Sequence, residues 1–133
     1  MIAIVRLGTP RKPNEGLRLG TVRRPPRGVP KADFAKRNFY DVWLPNLSPS
    51  EPLVKEALAT HREDPESATR DWKAFERKFR TEMKHPDSAH LLELLAALSH
   101  QTNFSMGCYC EDENLCHRSI LRKLLAERGA QVS

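Results

Sequence analysis

Thr102-Asn-Phe-Ser-Met-Gly-Cys108-Tyr-Cys110-Glu-Asp-Glu-Asn114-Leu-Cys116-His117-Arg118-Ser-Ile120-Leu121-Arg-Lys-Leu124-Leu125 decides the fold class. Its first part is a short run bounded by polar residues, fit for a strand ending near Cys110. Its last part places Ile120, Leu121, Leu124 and Leu125 at helical spacing, with Gly129 to end the helix. A strand that turns directly into an amphipathic helix is the repeating unit of α/β proteins.

Working outward, Ile2-Ala-Ile-Val-Arg-Leu7 is a β-branched run expected to form a first, largely buried strand. Leu17-Arg-Leu-Gly-Thr-Val22 alternates, which predicts a second strand with one wet face. Arg23-Arg24-Pro25-Pro26-Arg27-Gly28 is a loop, since consecutive prolines remove donors and fix the backbone. One helical turn is expected over 31–36. Phe39-Tyr-Asp-Val-Trp-Leu44 is a third strand candidate, stopped by Pro45. Ser50-Glu51-Pro52 reads as a helix start, with Leu53, Val54, Ala57 and Leu58 at helical spacing. A second helix is expected over 66–84. Its apolar side is Trp72, Phe75, Phe79 and Met83, read as core, and its basic side is read as a solvated face. Asp87 or Ser88 would cap a third helix from Ala89 to Leu98. The long helical middle can serve as a crossover. The expected fold is therefore a single α/β domain, residues 1–133, a layered sheet of mainly parallel strands flanked by helices.

Composition narrows the class further. A hydrophobic content of 39% suits a folded chain, and no apolar run is long enough to cross a bilayer. Neither a basic leader nor a long apolar stretch opens the sequence, so it reads as cytoplasmic, with no membrane partner. The three cysteines lie within nine residues, which marks a local site rather than a secreted disulfide framework. Residues 1–40 carry ten Lys/Arg against two acids, and the rest twelve against fifteen. That asymmetry would suit a nucleic-acid-binding module. No aromatic side chain precedes Phe34 to stack on bases, so a solvated basic loop is preferred. Nothing in the sequence points to a particular oligomer.

The segment 108–118 holds the residues suited to chemistry. Cys108 and Cys110, two apart on a strand, should point together. Asn114, with Asp112 as rival, would cap the helix and put Cys116 and His117 in its first turn. His117 should then face inward with Leu121 and Leu124, while Cys116 and Arg118 diverge around it. Several readings follow. Cys116, beside His117 and with Cys110 near, can be a reactive thiol, a candidate catalytic group. Arg118 and the first-turn amides can hold an anion such as phosphate, with Arg24 and Arg27 contributing from the basic loop. Glu111, Asp112 and Glu113 oppose both, because nearby negative charge disfavours a thiolate or a bound anion. Cys108, Cys110, Cys116 and His117 have the inventory of a zinc site in a non-catalytic zinc-stabilised module. Adjacent helix residues diverge, however, so no metal is favoured and no cofactor is expected. Buried thiols above a satisfied histidine are the bland alternative.

The basic segment Arg23-Arg24-Pro25-Pro26-Arg27-Gly28-Val29, followed by Trp72-Lys-Ala-Phe75-Glu-Arg77-Lys-Phe79, resembles the YeaO-like branch of the domain-of-unknown-function 488 family. The tail from Cys110 to Cys116-His117-Arg118 is similar to the cysteine…cysteine-histidine-arginine signature of the wider family. The resemblance implies a small cytosolic α/β domain and supplies no established activity. The best expectation is a site for a small anionic ligand, such as a phosphate-bearing one, with enzymatic use as a candidate role, at the strand–helix junction 108–118.

Overall fold

A computed structural model describes residues 1–59 and 65–133. Four strands, β1 (Ile2–Arg6), β2 (Leu17–Gly20), β3 (Val42–Trp43) and β4 (Phe104–Cys108), form one sheet in the order β1-β4-β2-β3. Every pairing is parallel, with Ile2 opposite Phe104 and Leu17 opposite Phe104 on the other side. Among the described residues four α-helices complete the fold: α1 (Glu51–Ala59), α2 (Pro65–Glu82), α3 (Pro86–Leu98) and α4 (His117–Glu127). The layered α/β expectation holds. β3 and β4 are joined by three helices, the crossover that a parallel pairing requires.

β4 is the strand between β1 and β2, and all five of its residues are buried. Gly107 permits close contact there, since a Cβ would stand 2.5 Å from the Val5 carbonyl oxygen. The core on which the sheet rests combines Phe75, Phe79 and Met83 of the α2 region with Leu92 and Leu95 of α3 and Ile120, Leu121, Leu124 and Leu125 of α4. The aromatic stripe is therefore core, and full burial of a side chain such as Phe79 contributes about 1.5–3 kcal/mol. Trp72 stacks on Phe75 with ring centroids 5.0 Å apart. On the basic side of α2, Arg80 is tied to Glu76 and Glu127, and Lys78 to Glu56. The side chain of Leu58, expected among the apolar positions of α1, lies outside the described residues.

Several local expectations change. β2 stops at Gly20, and its expected wet face is dry because Arg18 is fully buried. Glu15 pairs with it from the preceding loop, while the carbonyls of Thr9 and Asn38 accept from the same guanidinium. β3 shrinks from 39–44 to two residues. Asn38 adopts a positive φ of 63°, so Phe39 leaves a turn rather than entering a strand, and Tyr40 packs inward. The third helix starts at Pro86, not Ala89: His85 is its cap, with Nδ1 accepting from the Asp87 amide at 3.2 Å. Proline suits that first position because its missing N–H would have been unpaired anyway. α4 ends as expected, with Gly129 at φ 80° just beyond it.

Candidate functional site

The carboxyl end of β4 delivers Cys108, and the chain then leaves the sheet through Tyr109 and Cys110. Asp112 caps a short 3-10 turn, Glu113–Leu115, by accepting from the Asn114 amide at 2.9 Å. Neither Asn114 nor Asp112 caps α4. Cys116 itself stands at that position, with extended backbone (φ −131°, ψ 150°) and no side-chain capping bond. Sulfur is a weak acceptor, so the thiol is left to other partners. Its chain direction differs from that of a helical residue, and this reverses the expected divergence.

The sulfurs of Cys108, Cys110 and Cys116 lie within 4.8 Å of one another, and the first two are 3.8 Å apart. Cys108 and Cys116 are buried and Cys110 is exposed. Three sulfurs this close can hold a soft metal ion. Arg118 folds back rather than diverging: its Nε donates to Cys116 Sγ at 3.4 Å. Its Nη1 donates to the Val5 carbonyl at 2.8 Å and its Nη2 to the Cys110 carbonyl at 2.7 Å. The side chain thus ties β1 to the turn after β4 and holds one sulfur of the cluster.

His117 points inward, as its spacing from Leu121 predicted, with its ring edge-on to Phe79 at 5.6 Å. Its Nε2 lies 2.6 Å from the Thr21 carbonyl oxygen, and a carbonyl only accepts, so Nε2 carries the hydrogen. Nδ1 is left facing Cys116 Sγ at 3.7 Å, placed to take the thiol proton. The Cys116 thiol is driven well below its ordinary range, first by the Cys108 and Cys110 thiols bonding to its sulfur, then by His117, against the effect of burial. Cys108 is driven up, chiefly by its bonds to Cys110 and Cys116 and then by burial. Its bond to Cys108 lowers Cys110, but Cys116 and burial outweigh it and the thiol goes up. Of the three sulfurs, Cys116 is therefore the one favoured to lose its proton first.

The cluster opens onto a cleft of about 980 Å³. Cys108, Cys110, Cys116 and His117 line one wall, and Arg24, Arg27 and Lys55 are cations lining the same cleft. Pro25, Pro26, Phe39, Val54 and Leu115 give it an apolar lining. A family model described as the active DUF488-N3 subclade matches residues 2–129. The chain belongs to the DUF488 family. No curated protein and no solved structure matches it.

In this DUF488 chain, Cys110, Cys116, His117, Arg24 and Arg27 meet at one cleft, whereas Arg118 is not among its lining residues. Arg24 also pairs with Glu51, and Arg27 has no ion pair among the described residues. Three positions that shape the cleft escaped the sequence. Thr21 fixes the His117 tautomer through a main-chain carbonyl, which leaves no sequence signal. Lys55 reaches the cleft only because α1 packs beside the basic loop. Tyr109, lining the cleft, donates its hydroxyl to the Arg24 carbonyl at 3.0 Å and so braces that loop. Half of the ten basic residues of 1–40 bond to other parts of the chain: Arg6, Arg11, Arg18, Arg23 and Arg24. No described helix is long and apolar enough to cross a membrane.

Proposed function

We propose that residues 1–133 act as one domain carrying a small-ligand site. In it Cys116 is the nucleophile and His117 Nδ1 takes its proton. Cys110 bonds to the cluster from the exposed side, and Arg118 is a positioning residue that holds the Cys116 sulfur. Arg24 and Arg27, with Lys55, receive an anionic group of the ligand, such as a phosphate or carboxylate, while the proline and phenylalanine lining takes its apolar body. The observation that carries this reading is the meeting of the Cys-His wall and the Arg24–Arg27 loop at one cleft. The commitment of Arg6, Arg11, Arg18 and Arg23 to internal bonds supports a small ligand over nucleic acid. The closed Cys₃His zinc module has less support, because the group of converging donors among the described residues is the three sulfurs alone.

Site-resolved alkylation of the reduced protein at pH 7 tests the reading. Cys116 should react faster with iodoacetate, relative to iodoacetamide, than a free cysteine does, because the cleft cations draw in the carboxylate. The variant R24Q/R27Q should lose most of that preference, by several-fold. Its stability should change by no more than about 0.5 kcal/mol, since both positions are exposed. Alkylation of Cys116 no faster than free cysteine, with no preference for the anionic reagent, contradicts the proposal.

A further inference from the structure

We infer that Cys108, Cys110 and Cys116 form an open three-thiolate site for a soft metal ion, Zn²⁺ in the first instance, whose fourth coordination position faces the cleft and whose occupancy blocks Cys116. The blocking part rests on the small-ligand reading above; the metal site stands on its own geometry.

The first support is distance. Zinc–sulfur bonds of about 2.3 Å in a tetrahedron set neighbouring sulfurs about 3.8 Å apart. Cys108 and Cys110 already stand at 3.8 Å, and Cys116 lies within 4.8 Å of both, so small side-chain rotations complete a trigonal face. Cys108 ends the central strand and Cys116 caps α4, while Cys110 stands in the turn between them with its carbonyl held by Arg118. An all-sulfur donor set selects Zn²⁺ or Cu(I) and rejects Mg²⁺ and Ca²⁺.

Charge gives the second support. Three thiolates around a divalent ion leave one net negative charge. Arg118 is buried against Cys116 with no carboxylate partner among the described residues, so its cation offsets that charge. Its bond to the Cys110 carbonyl at the same time fixes a second donor residue, the outer-shell support that metal sites need. The third support is access. Cys110 is exposed and all three cysteines line the cleft, so an ion can enter and a ligand can reach the remaining position. With His117 outside the donor group, the site stays open instead of closing as Cys₃His.

The test uses the full, reduced chain under anaerobic conditions. Co²⁺ titration should give one equivalent bound, with a sulfur-to-cobalt charge-transfer band that Zn²⁺ displaces. C110S, at an exposed position where the fold should persist by circular dichroism, should weaken binding at least tenfold, and C116S should do the same. One equivalent of Zn²⁺ should slow iodoacetamide alkylation of Cys116 at least tenfold. Absence of the charge-transfer band, or a band undiminished in both folded variants, overturns the metal site. A bound Zn²⁺ that leaves the alkylation rate unchanged overturns the block. The two proposals fail separately. Fast alkylation of Cys116 without Zn²⁺ binding removes only the metal, and tight binding with an unreactive metal-free Cys116 removes only the nucleophile.

Discussion

Two arginines among the described residues are buried against this sheet, and they are balanced in different ways. Arg18, fully enclosed on β2, faces Glu15 through two bonds of 3.0 and 2.9 Å, with two main-chain carbonyls completing its shell. Arg118, 3% exposed on α4, bonds to two carbonyls and to the sulfur of Cys116, with no carboxylate ion pair among the described residues. A buried guanidinium stays charged, so an anion is needed beside each. At Arg18 the anion is a carboxylate, and the pair is structural. At Arg118 the group in that place is a thiol, which becomes an anion only by losing its proton. The comparison teaches that the same demand, met by sulfur instead of oxygen, turns a fold-stabilising contact into one that prepares a reactive or metal-binding atom.

The largest effect should come from breaking the Arg18 side. E15Q leaves an uncompensated buried charge, and a loss of about 3–5 kcal/mol is expected in urea denaturation. A loss under about 1 kcal/mol would mean that the two carbonyls suffice, and the contrast with Arg118 would vanish. At Arg118, R118M should cost less, about 1–3 kcal/mol, from the unpaired Val5 and Cys110 carbonyls. Alkylation of Cys116 should slow in the same variant; an unchanged rate would show that the guanidinium does not act on the sulfur.

A smaller effect sharpens the carboxylate side. Asp41 accepts from Arg11 at 2.6 Å and from the Arg18 amide at 2.8 Å. Burial raises its pKa, but these bonds and the two positive charges outweigh burial and leave it lowered. Its stabilising contribution is therefore complete above the unfolded carboxyl value, near 3.9, and is lost as pH falls through the folded value. D41N should cost about 1 kcal/mol at pH 6, and the gap from wild type should close as the pH falls through the lowered folded value of Asp41. A gap that stays constant with pH would show that the Asp41 charge contributes nothing.

The same contrast explains what could be read from the chain. The parallel layered sheet was legible because a strand candidate around Met106 leads into the helical spacing of Ile120 and Leu124, and because the long helical middle can serve as a crossover. Arg18 was not: alternation put a charged residue on a wet face, and its burial is made tolerable by the loop that turns Glu15 back onto it and by the carbonyls of Thr9 and Asn38. At the site, His117 faced inward as its distance from Leu121 required, and the loop of Arg24 and Arg27 lines the same cleft. The convergence of Cys116 with Cys108 and Cys110 was hidden, because the spacing rule assumes helical backbone and Cys116 is an extended cap. Arg118 was misread for a related reason. Its long side chain travels back to the end of β1, a contact separated by more than a hundred residues.

The direct measure of the central claim is the ultraviolet thiolate absorbance of the reduced, metal-free protein at pH 6, compared between wild type, C116S and R118M. About one thiolate per chain is predicted in wild type, lost in C116S and diminished in R118M, although an ordinary thiol with a pKa near 8.5 is almost wholly protonated at that pH. Absorbance that appears only as the pH approaches the ordinary thiol range, and equally in all three proteins, would contradict the account.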